Sequence, residues 1–137
     1  MAGRSIRLAS AISLLTVGCG MQSPTVSDSV PSTPAQVLAI ESAHRFADMR
    51  GVRLDAVIIT APPTPKYASW AVCDQHVVGF NEEYIEKDWV YAFLPGMAAH
   101  EVCHIYLKHN LPCGKAEPVQ AELDAEACAA ALVGGRL

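Results

Sequence analysis

Basic residues are scarce in this sequence. It has 10 Lys and Arg against 14 Asp and Glu, which gives a formal net charge of −4 over 137 residues. Proteins that bind nucleic acid concentrate positive charge on one face, so this balance argues against nucleic acid as a partner. Long apolar runs are absent too, since none reaches the roughly 18 residues of a membrane-spanning helix. With 51% hydrophobic and 18% charged residues, the chain has the composition of one globular domain rather than of a disordered segment.

The first 18 residues have the pattern of an export signal. Arg4 and Arg7 supply positive charge, and the apolar stretch 8–17 that follows is too short for a stop-transfer helix. The segment ends in Gly18-Cys19, which resembles the lipobox of bacterial lipoproteins. This resemblance implies cleavage before Cys19, lipidation of that cysteine and anchoring to a membrane of the bacterial cell envelope. Export as a soluble periplasmic or secreted protein is the alternative.

Lipidation of Cys19 would leave four cysteines, namely Cys73, Cys103, Cys113 and Cys128. In an exported domain four thiols allow up to two disulfides, in any of three connectivities, and the sequence does not choose among them. Residues 20–33 are rich in Ser, Thr and Pro without a period, which is typical of a flexible linker. We therefore expect a signal peptide at 1–18, a linker at 20–33 and a folded domain at 34–137.

Hydrophobic periodicity and turn residues predict an α+β domain. Thr33-Pro34 is typical of a helix start, and short β-branched segments between turn residues are typical of strands. The small sheet is expected to be mixed or antiparallel, with three strands or so. The predicted elements are a helix at 34–50, strands at 54–60, 67–73 and 76–81, a short helix at 81–88, and longer helices at 95–110 and 118–133.

A His-Glu-x-x-His motif lies in the first of these two longer helices, with His100, Glu101 and His104 as its defining residues. Residues four apart project from one face of a helix, so both imidazoles can bind one metal ion. Glu101 is then on the open side of the ion, where it can take a proton from metal-bound water. Apolar neighbours predict a buried helix, in which these polar groups are costly unless they are satisfied. A pair of hydrogen-bonded core histidines is the alternative.

A catalytic zinc site of this kind needs a third protein ligand and leaves the fourth position to water. Position 110, six residues after His104, is Asn and not the third His of a metzincin. The next helix carries Glu122 and Glu126, four residues apart on one face. One of them can bind the metal while the other orients a ligand histidine. A solvated acidic face near a helix N-terminus is the alternative for this pair.

The segments HEVCHIYLKH and AELDAEACAAALV resemble the gluzincin metallopeptidases, in particular compact bacterial and phage members such as minigluzincins and ImmA/IrrE-like proteins. In those families H-E-x-x-H is followed by E-x-x-A-D, whose first Glu is a metal ligand. The resemblance implies a zincin-like domain with one zinc ion per chain. It makes His100, His104 and Glu122 the zinc ligands and Glu101 the general base. Glu126 would orient a ligand histidine without binding the metal itself.

Such an enzyme would hydrolyse peptide bonds in the bacterial cell envelope, with a peptide or protein as substrate and a lipid anchor in the membrane. The same families place an extended edge strand beside the site, for which 69–73 and 76–81 are candidates. For His109, five residues after His104, we expect a surface position. Candidate donors to the oxyanion are His76, Tyr84, Tyr91, Tyr106 and His109. The alternative function is a non-catalytic envelope lipoprotein whose zinc is structural or sensory.

Overall fold

A computed structural model describes residues 27–109 and 118–135 of the chain. The predicted α+β class with a three-stranded sheet is confirmed. The predicted signal peptide, Cys19 and Cys113 lie outside the described residues. In chain order the elements are helix α1 (Pro34–Arg50), strands β1 (Ala56–Thr60), β2 (Ser69–Val72) and β3 (Val77–Asn81), the short helix α2 (Glu82–Ile85), a 3₁₀ helix (Asp88–Phe93), helix α3 (Leu94–Tyr106) and helix α4 (Val119–Val133).

Helix α1 begins and ends at residues suited to these positions. The Thr33 hydroxyl accepts a hydrogen bond from the backbone N–H of Gln36 at 3.2 Å. Pro34 is in the first turn, where the backbone N–H that proline lacks would have no partner within the helix. Gly51 ends the helix in the left-handed conformation, with φ of 69°. The helix packs on α3 through a buried face of mostly small side chains. These are Ala35, Ala39, Ile40, Ser42, Ala43, Phe46 and Ala47.

The three strands form one mixed sheet in the order β1–β3–β2. Strand β3 is central, parallel to β1 and antiparallel to β2. Strands β2 and β3, which correspond to the predicted strands 67–73 and 76–81, form a hairpin without an Asn-Gly turn. His76 instead adopts the left-handed backbone conformation, with φ of 54°, and its Nδ1 donates to the carbonyl of Arg53 at 2.7 Å. This bond across to the segment before β1 helps to place β1 beside β3.

The two faces of the sheet have different partners. One face packs with α1 and α3 in the main core, to which Val57, Val78 and Phe80 contribute. On the other face Trp70 lies across β3 in a smaller cluster. Its indole ring occupies the space that a Cβ at Gly79 would fill, and the two residues are directly opposite each other in the register. Glycine at position 79 therefore permits the close approach of the tryptophan.

Helix α3 is the central helix of the domain and contacts α1, α4 and β2. It follows directly on the 3₁₀ helix, which the sequence did not predict. It ends at Tyr106, before the predicted end at 110. Helix α4 packs on α3 through Ala121, Ala125 and Ala129, which recur every four residues. No helix in the two described ranges is both long and apolar enough to cross a membrane.

The beginning of the described chain lies along the outer edge of β1. The backbone N–H of Ser29 donates to the carbonyl of Val57 at 3.0 Å, and the N–H of Val57 donates to Asp28 Oδ1 at 2.8 Å. The N–H of Ile59 donates to the Ser29 hydroxyl, also at 2.8 Å. The other Asp28 oxygen lies 2.7 Å from His44 Nε2 on α1. This segment therefore occupies backbone groups along the β1 edge and ties them to α1.

The Trp70–Gly79 contact generates a stability prediction. We expect Gly79→Ala to lower the free energy of unfolding by about 1–3 kcal/mol, because the new Cβ overlaps the indole ring. The matched control is Gly96→Ala in α3, where an added Cβ meets no atom within 4 Å. It should be neutral or stabilising, since Ala favours a helix over Gly. Urea unfolding followed by circular dichroism measures both, and equal effects of the two substitutions would contradict the packing described.

Candidate metal centre

Helices α3 and α4 bring two histidines and a glutamate together. The Nε2 atoms of His100 and His104 lie 3.1 Å apart. Glu122 Oε2 is 3.1 Å from His100 Nε2 and 3.2 Å from His104 Nε2. The three atoms form a nearly equilateral triangle, and ligand atoms of a tetrahedral zinc ion are separated by roughly 3.3 Å. The triangle therefore has the size and the donor atoms of a three-ligand metal site.

Hydrogen bonds alone account poorly for this triangle. Two imidazole nitrogens 3.1 Å apart can share no more than one hydrogen between them. If that hydrogen lies between His100 and His104, neither nitrogen donates it to Glu122 along the other two edges. A cation placed over the triangle accepts electron density from all three atoms at once. The donor set therefore fits a metal ion better than it fits a network of hydrogen-bonded core histidines.

Glu101 stands beside the two histidines on α3. The ligand atoms of His100, Glu101 and His104 all lie within 4.8 Å of one another, so this group could hold a metal ion. Glu101 Oε2 accepts a hydrogen bond from the Ser69 hydroxyl on β2 at 2.9 Å. Its Oε1 is buried and has no hydrogen-bond partner among the described residues. Buried carboxylate oxygens are almost always satisfied, and a water molecule at the metal would satisfy this one.

The second nitrogen of His100 is held by Glu126. His100 Nδ1 and Glu126 Oε1 are 2.6 Å apart, and the Glu126 side chain stays 70% exposed on the outer face of α4. A carboxylate can only accept, so His100 Nδ1 carries the hydrogen and donates it. When the ring is neutral, its lone pair is then on Nε2, which faces His104 and Glu122. Glu126 thus fixes the tautomer of His100 that a metal requires.

The expectation of a surface position for His109 is wrong. Its ring is half-buried, and its Nδ1 lies 2.9 Å from Nδ1 of His104. Three of the other candidate oxyanion donors have their contacts in other parts of the fold. His76 is at the β2–β3 turn, Tyr84 stacks edge-on against Trp89, and Tyr106 lies under Arg50.

A cleft of about 280 Å³ opens beside the triangle. It is bounded by α3 and α4 on one side and by β2 with the loop before it on the other. Lys66, Tyr67 and Ser69 line it; the sequence predicted 69–73 as a candidate edge strand beside the site but gave none of these three side chains a role. They lie more than 30 residues before the motif and belong to no motif of their own, so only the fold brings them to the cleft. Its lining residues are Lys66, Tyr67, Ser69, Trp70, His100, Glu101 and Glu122.

Burial and charge shift the pKa values of the site in different directions. Burial raises the pKa of Glu101 to about 7, although His100 and the Ser69 hydrogen bond oppose the shift. Burial and the neighbouring His100 lower the pKa of His104 to about 4. Burial also opposes charge on His100, but Glu101, Glu122 and Glu126 outweigh it and raise its pKa. At neutral pH His104 is therefore uncharged and ready to bind a metal, while Glu101 can accept or release a proton.

A disulfide joins the two helices that carry the site. Cys103, the residue before His104, is bonded to Cys128 on α4, and their Cα atoms are 6.0 Å apart. This is one pairing among the connectivities that the four cysteines allow. Cys73 is buried directly after the end of β2. The disulfide limits the separation of α3 and α4 next to His104.

No family model, curated protein or solved structure matches this chain. The interpretation of the site therefore depends on its own residues and geometry.

The raised pKa of Glu101 predicts a pH-dependent stability for the metal-free protein. In the fold this carboxyl holds its proton up to about pH 7, whereas its ordinary pKa is 4.5. Its contribution is therefore complete below pH 4.5 and is lost as the pH rises to 7, by up to about 3 kcal/mol. Glu101→Gln has no such proton to lose. We expect the difference in free energy of unfolding between the variant and the wild type to grow over this window.

Urea denaturation with a chelator present, at intervals from pH 4.5 to 8, measures this difference. Subtracting the wild-type curve from that of the variant removes the groups that do not interact with Glu101, and the remainder reports the coupled titration of Glu101 and His100. A difference that stays constant with pH would contradict a raised pKa for Glu101.

The disulfide generates a second prediction. The double substitution Cys103→Ala with Cys128→Ala should lower the free energy of unfolding by roughly 3 kcal/mol, because the bond closes a loop of 25 residues in the unfolded chain. Thermal unfolding of the double variant, compared with the wild type before and after reduction, measures the effect. Reduction of the wild type should reproduce most of the loss, and unchanged melting in both cases would show that the bond contributes nothing.

Proposed function

We propose that this protein is a zinc-dependent peptidase of the gluzincin type, with its active site at the junction of α3, α4 and β2. One observation carries the proposal. The nitrogens of His100 and His104 and one oxygen of Glu122 form a triangle of metal-ligand size, beside a buried Glu101 whose Oε1 has no partner in the described parts of the chain. A structural zinc site does not need such a carboxylate, whereas hydrolysis does.

The choice of zinc follows from the donor atoms. Two imidazole nitrogens and a carboxylate oxygen form a common ligand set of catalytic zinc, which keeps one position for water. Calcium and magnesium prefer sites made of oxygen atoms. The resemblance of the motif residues to gluzincins points to the same metal and the same three ligands.

In the proposed reaction each side chain has a separate task. Zinc, when bound, would lower the pKa of the attacking water and polarise the scissile carbonyl. Glu101 takes the proton of that water on Oε1 and later delivers it to the leaving amine. The Ser69 hydroxyl holds the other Glu101 oxygen in place during both transfers. Lys66 and Tyr67 line the cleft and are candidates for donors to the oxyanion.

The position of β2 at the edge of the sheet favours a peptide as the substrate. Strand β2 pairs with β3 on one side, and no other described strand pairs with its second edge. The outer edge of β1 is already occupied by Asp28 and Ser29. The β2 edge begins at Ser69, whose side chain contacts Glu101. An extended peptide that adds to this edge would therefore place its backbone next to the general base.

The cell envelope is the proposed location. The positive residues and apolar stretch of positions 1–18, with Cys19 after them, favour export and lipid anchoring. The Cys103–Cys128 disulfide supports an oxidising compartment, since such bonds persist mainly outside the cytoplasm. A peptidase there would act on envelope proteins or peptides.

Zinc content and peptide hydrolysis, measured on matched variants, test the proposal. The wild type should bind about one zinc per chain and cleave members of a quenched-fluorescent peptide library. Glu101→Gln should retain zinc and lose at least about 10²-fold in turnover, because the general base is gone. Glu122→Gln should bind zinc weakly. Asp124→Asn is the control, since it removes one charge from the same helix at an exposed residue that hydrogen-bonds Gln120.

The outcomes separate the alternatives. Activity that survives in Glu101→Gln would contradict the role of Glu101 as base. Zinc that is retained in Glu122→Gln as in Asp124→Asn would contradict the ligand set. A wild type that binds zinc and cleaves nothing would favour a structural or sensory metal in an envelope lipoprotein.

A further inference from the structure

His104 is the most buried member of the site, and a second histidine contacts the side of its ring opposite the triangle. His104 is fully buried, and its Nδ1 lies 2.9 Å from Nδ1 of His109. The two rings are 5.1 Å apart between centroids and inclined at 65°, so the contact is edge-on through the nitrogens. Since Nε2 of His104 belongs to the triangle, both of its nitrogens have a defined neighbour.

The end of helix α3 is folded in the way that this contact needs. The N–H of Lys108 donates to the carbonyl of Ile105 at 3.0 Å, and the N–H of His109 donates to the carbonyl of His104 at 3.1 Å. These two bonds form a Schellman motif, which closes a helix through one residue in the left-handed conformation. Here that residue is Lys108, with φ of 58°, and not the usual glycine. The motif turns the chain back so that the His109 side chain reaches His104.

The direction of the hydrogen bond follows from the chemistry of the triangle. For His104 to offer the lone pair of Nε2 to a metal, its Nδ1 must carry the hydrogen. Nδ1 of His104 then donates, and Nδ1 of His109 accepts. We propose that His109 is a positioning residue that fixes the tautomer and the ring orientation of His104 for metal binding. This inference rests on the proposed function, because it assigns a task to His109 only if His104 is a ligand.

The Nδ1 atoms of the two histidines have different neighbours, a carboxylate for His100 and an imidazole for His104, and this difference has a physical reason. His100 is supported by Glu126, whose charge stays in contact with water. His104 is fully buried and His109 is half-buried, so a carboxylate at position 109 would lose part of its hydration. A neutral imidazole provides an acceptor there without a buried charge. It also adds no negative charge to a site that already has three carboxylates around His100.

Two substitutions separate the hydrogen bond from packing. In His109→Asn, Oδ1 is bonded to Cγ as Nδ1 is in histidine, so the acceptor is retained. In His109→Phe the ring is retained and the acceptor is lost. Lys108→Gly is the control, because glycine suits the left-handed position and leaves His109 unchanged.

The test uses the full chain, stripped of metal, with zinc affinity measured by competition with a chromophoric chelator. The visible spectrum of the Co²⁺-loaded protein reports the ligand geometry independently, and circular dichroism of the metal-free proteins verifies folding. His109→Phe should weaken zinc binding by about 10–100-fold and alter the Co²⁺ spectrum. His109→Asn should restore most of the affinity, to within roughly threefold of the wild type. Lys108→Gly should match the wild type in both measurements.

Two results would overturn the inference while leaving the metal site in place. One is a His109→Phe variant with wild-type affinity and spectrum, and the other is a His109→Asn variant as impaired as His109→Phe. A wild type that binds no zinc overturns the proposed function, and the role of His109 with it. If His109→Phe does not fold, His109→Ala takes its place as the variant without an acceptor: it should bind zinc more weakly than His109→Asn, and equal affinity of the two would overturn the inference.

Discussion

The close packing of α4 against α3 is the contact on which the site depends. Alanines at positions 121, 125 and 129 let the two helices approach, and the Cys103–Cys128 bond holds them at that separation. Because of this approach, one oxygen of Glu122 reaches within 3.2 Å of both histidine nitrogens. A wider spacing would leave two histidines on one helix and an acidic face on another, with no metal ligand set between them.

Around this contact the structure gives each polar group of the site a separate environment. His104 is buried and uncharged at neutral pH, and His100 lies among carboxylates that favour its positive form in the absence of metal. Glu101 is buried between α3 and β2, with a pKa of about 7. A bound cation would resolve the charge imbalance of this group, since it replaces the proton that the carboxylates otherwise attract. Burial makes a charged Glu101 side chain unfavourable for stability. Because burial also brings its pKa to about 7, the carboxyl can accept and release a proton at neutral pH.

Short-range sequence spacing predicted much of the site, and long-range folding supplied the rest. The i, i+4 spacing places His100 with His104 on one helix face, and it does the same for Glu122 with Glu126. Ser69 could not be assigned, because its contact with Glu101 depends on how β2 packs beside α3. His109 was misplaced because Lys108 takes a left-handed conformation that a sequence signals only when the residue is glycine or asparagine. Similarly, the mixed order of the sheet depends on the pairing of β1 with β3, which no local pattern encodes.

X-ray absorption at the zinc edge of the zinc-loaded protein tests the central claim most directly, because it reports the ligand atoms themselves. We expect nitrogen and oxygen ligands at about 2.0–2.1 Å, with the outer scattering of two imidazoles and with no sulfur. A sulfur scatterer at about 2.3 Å, or a shell that contains fewer than two imidazoles, would contradict the assignment of His100, His104 and Glu122 as the metal ligands.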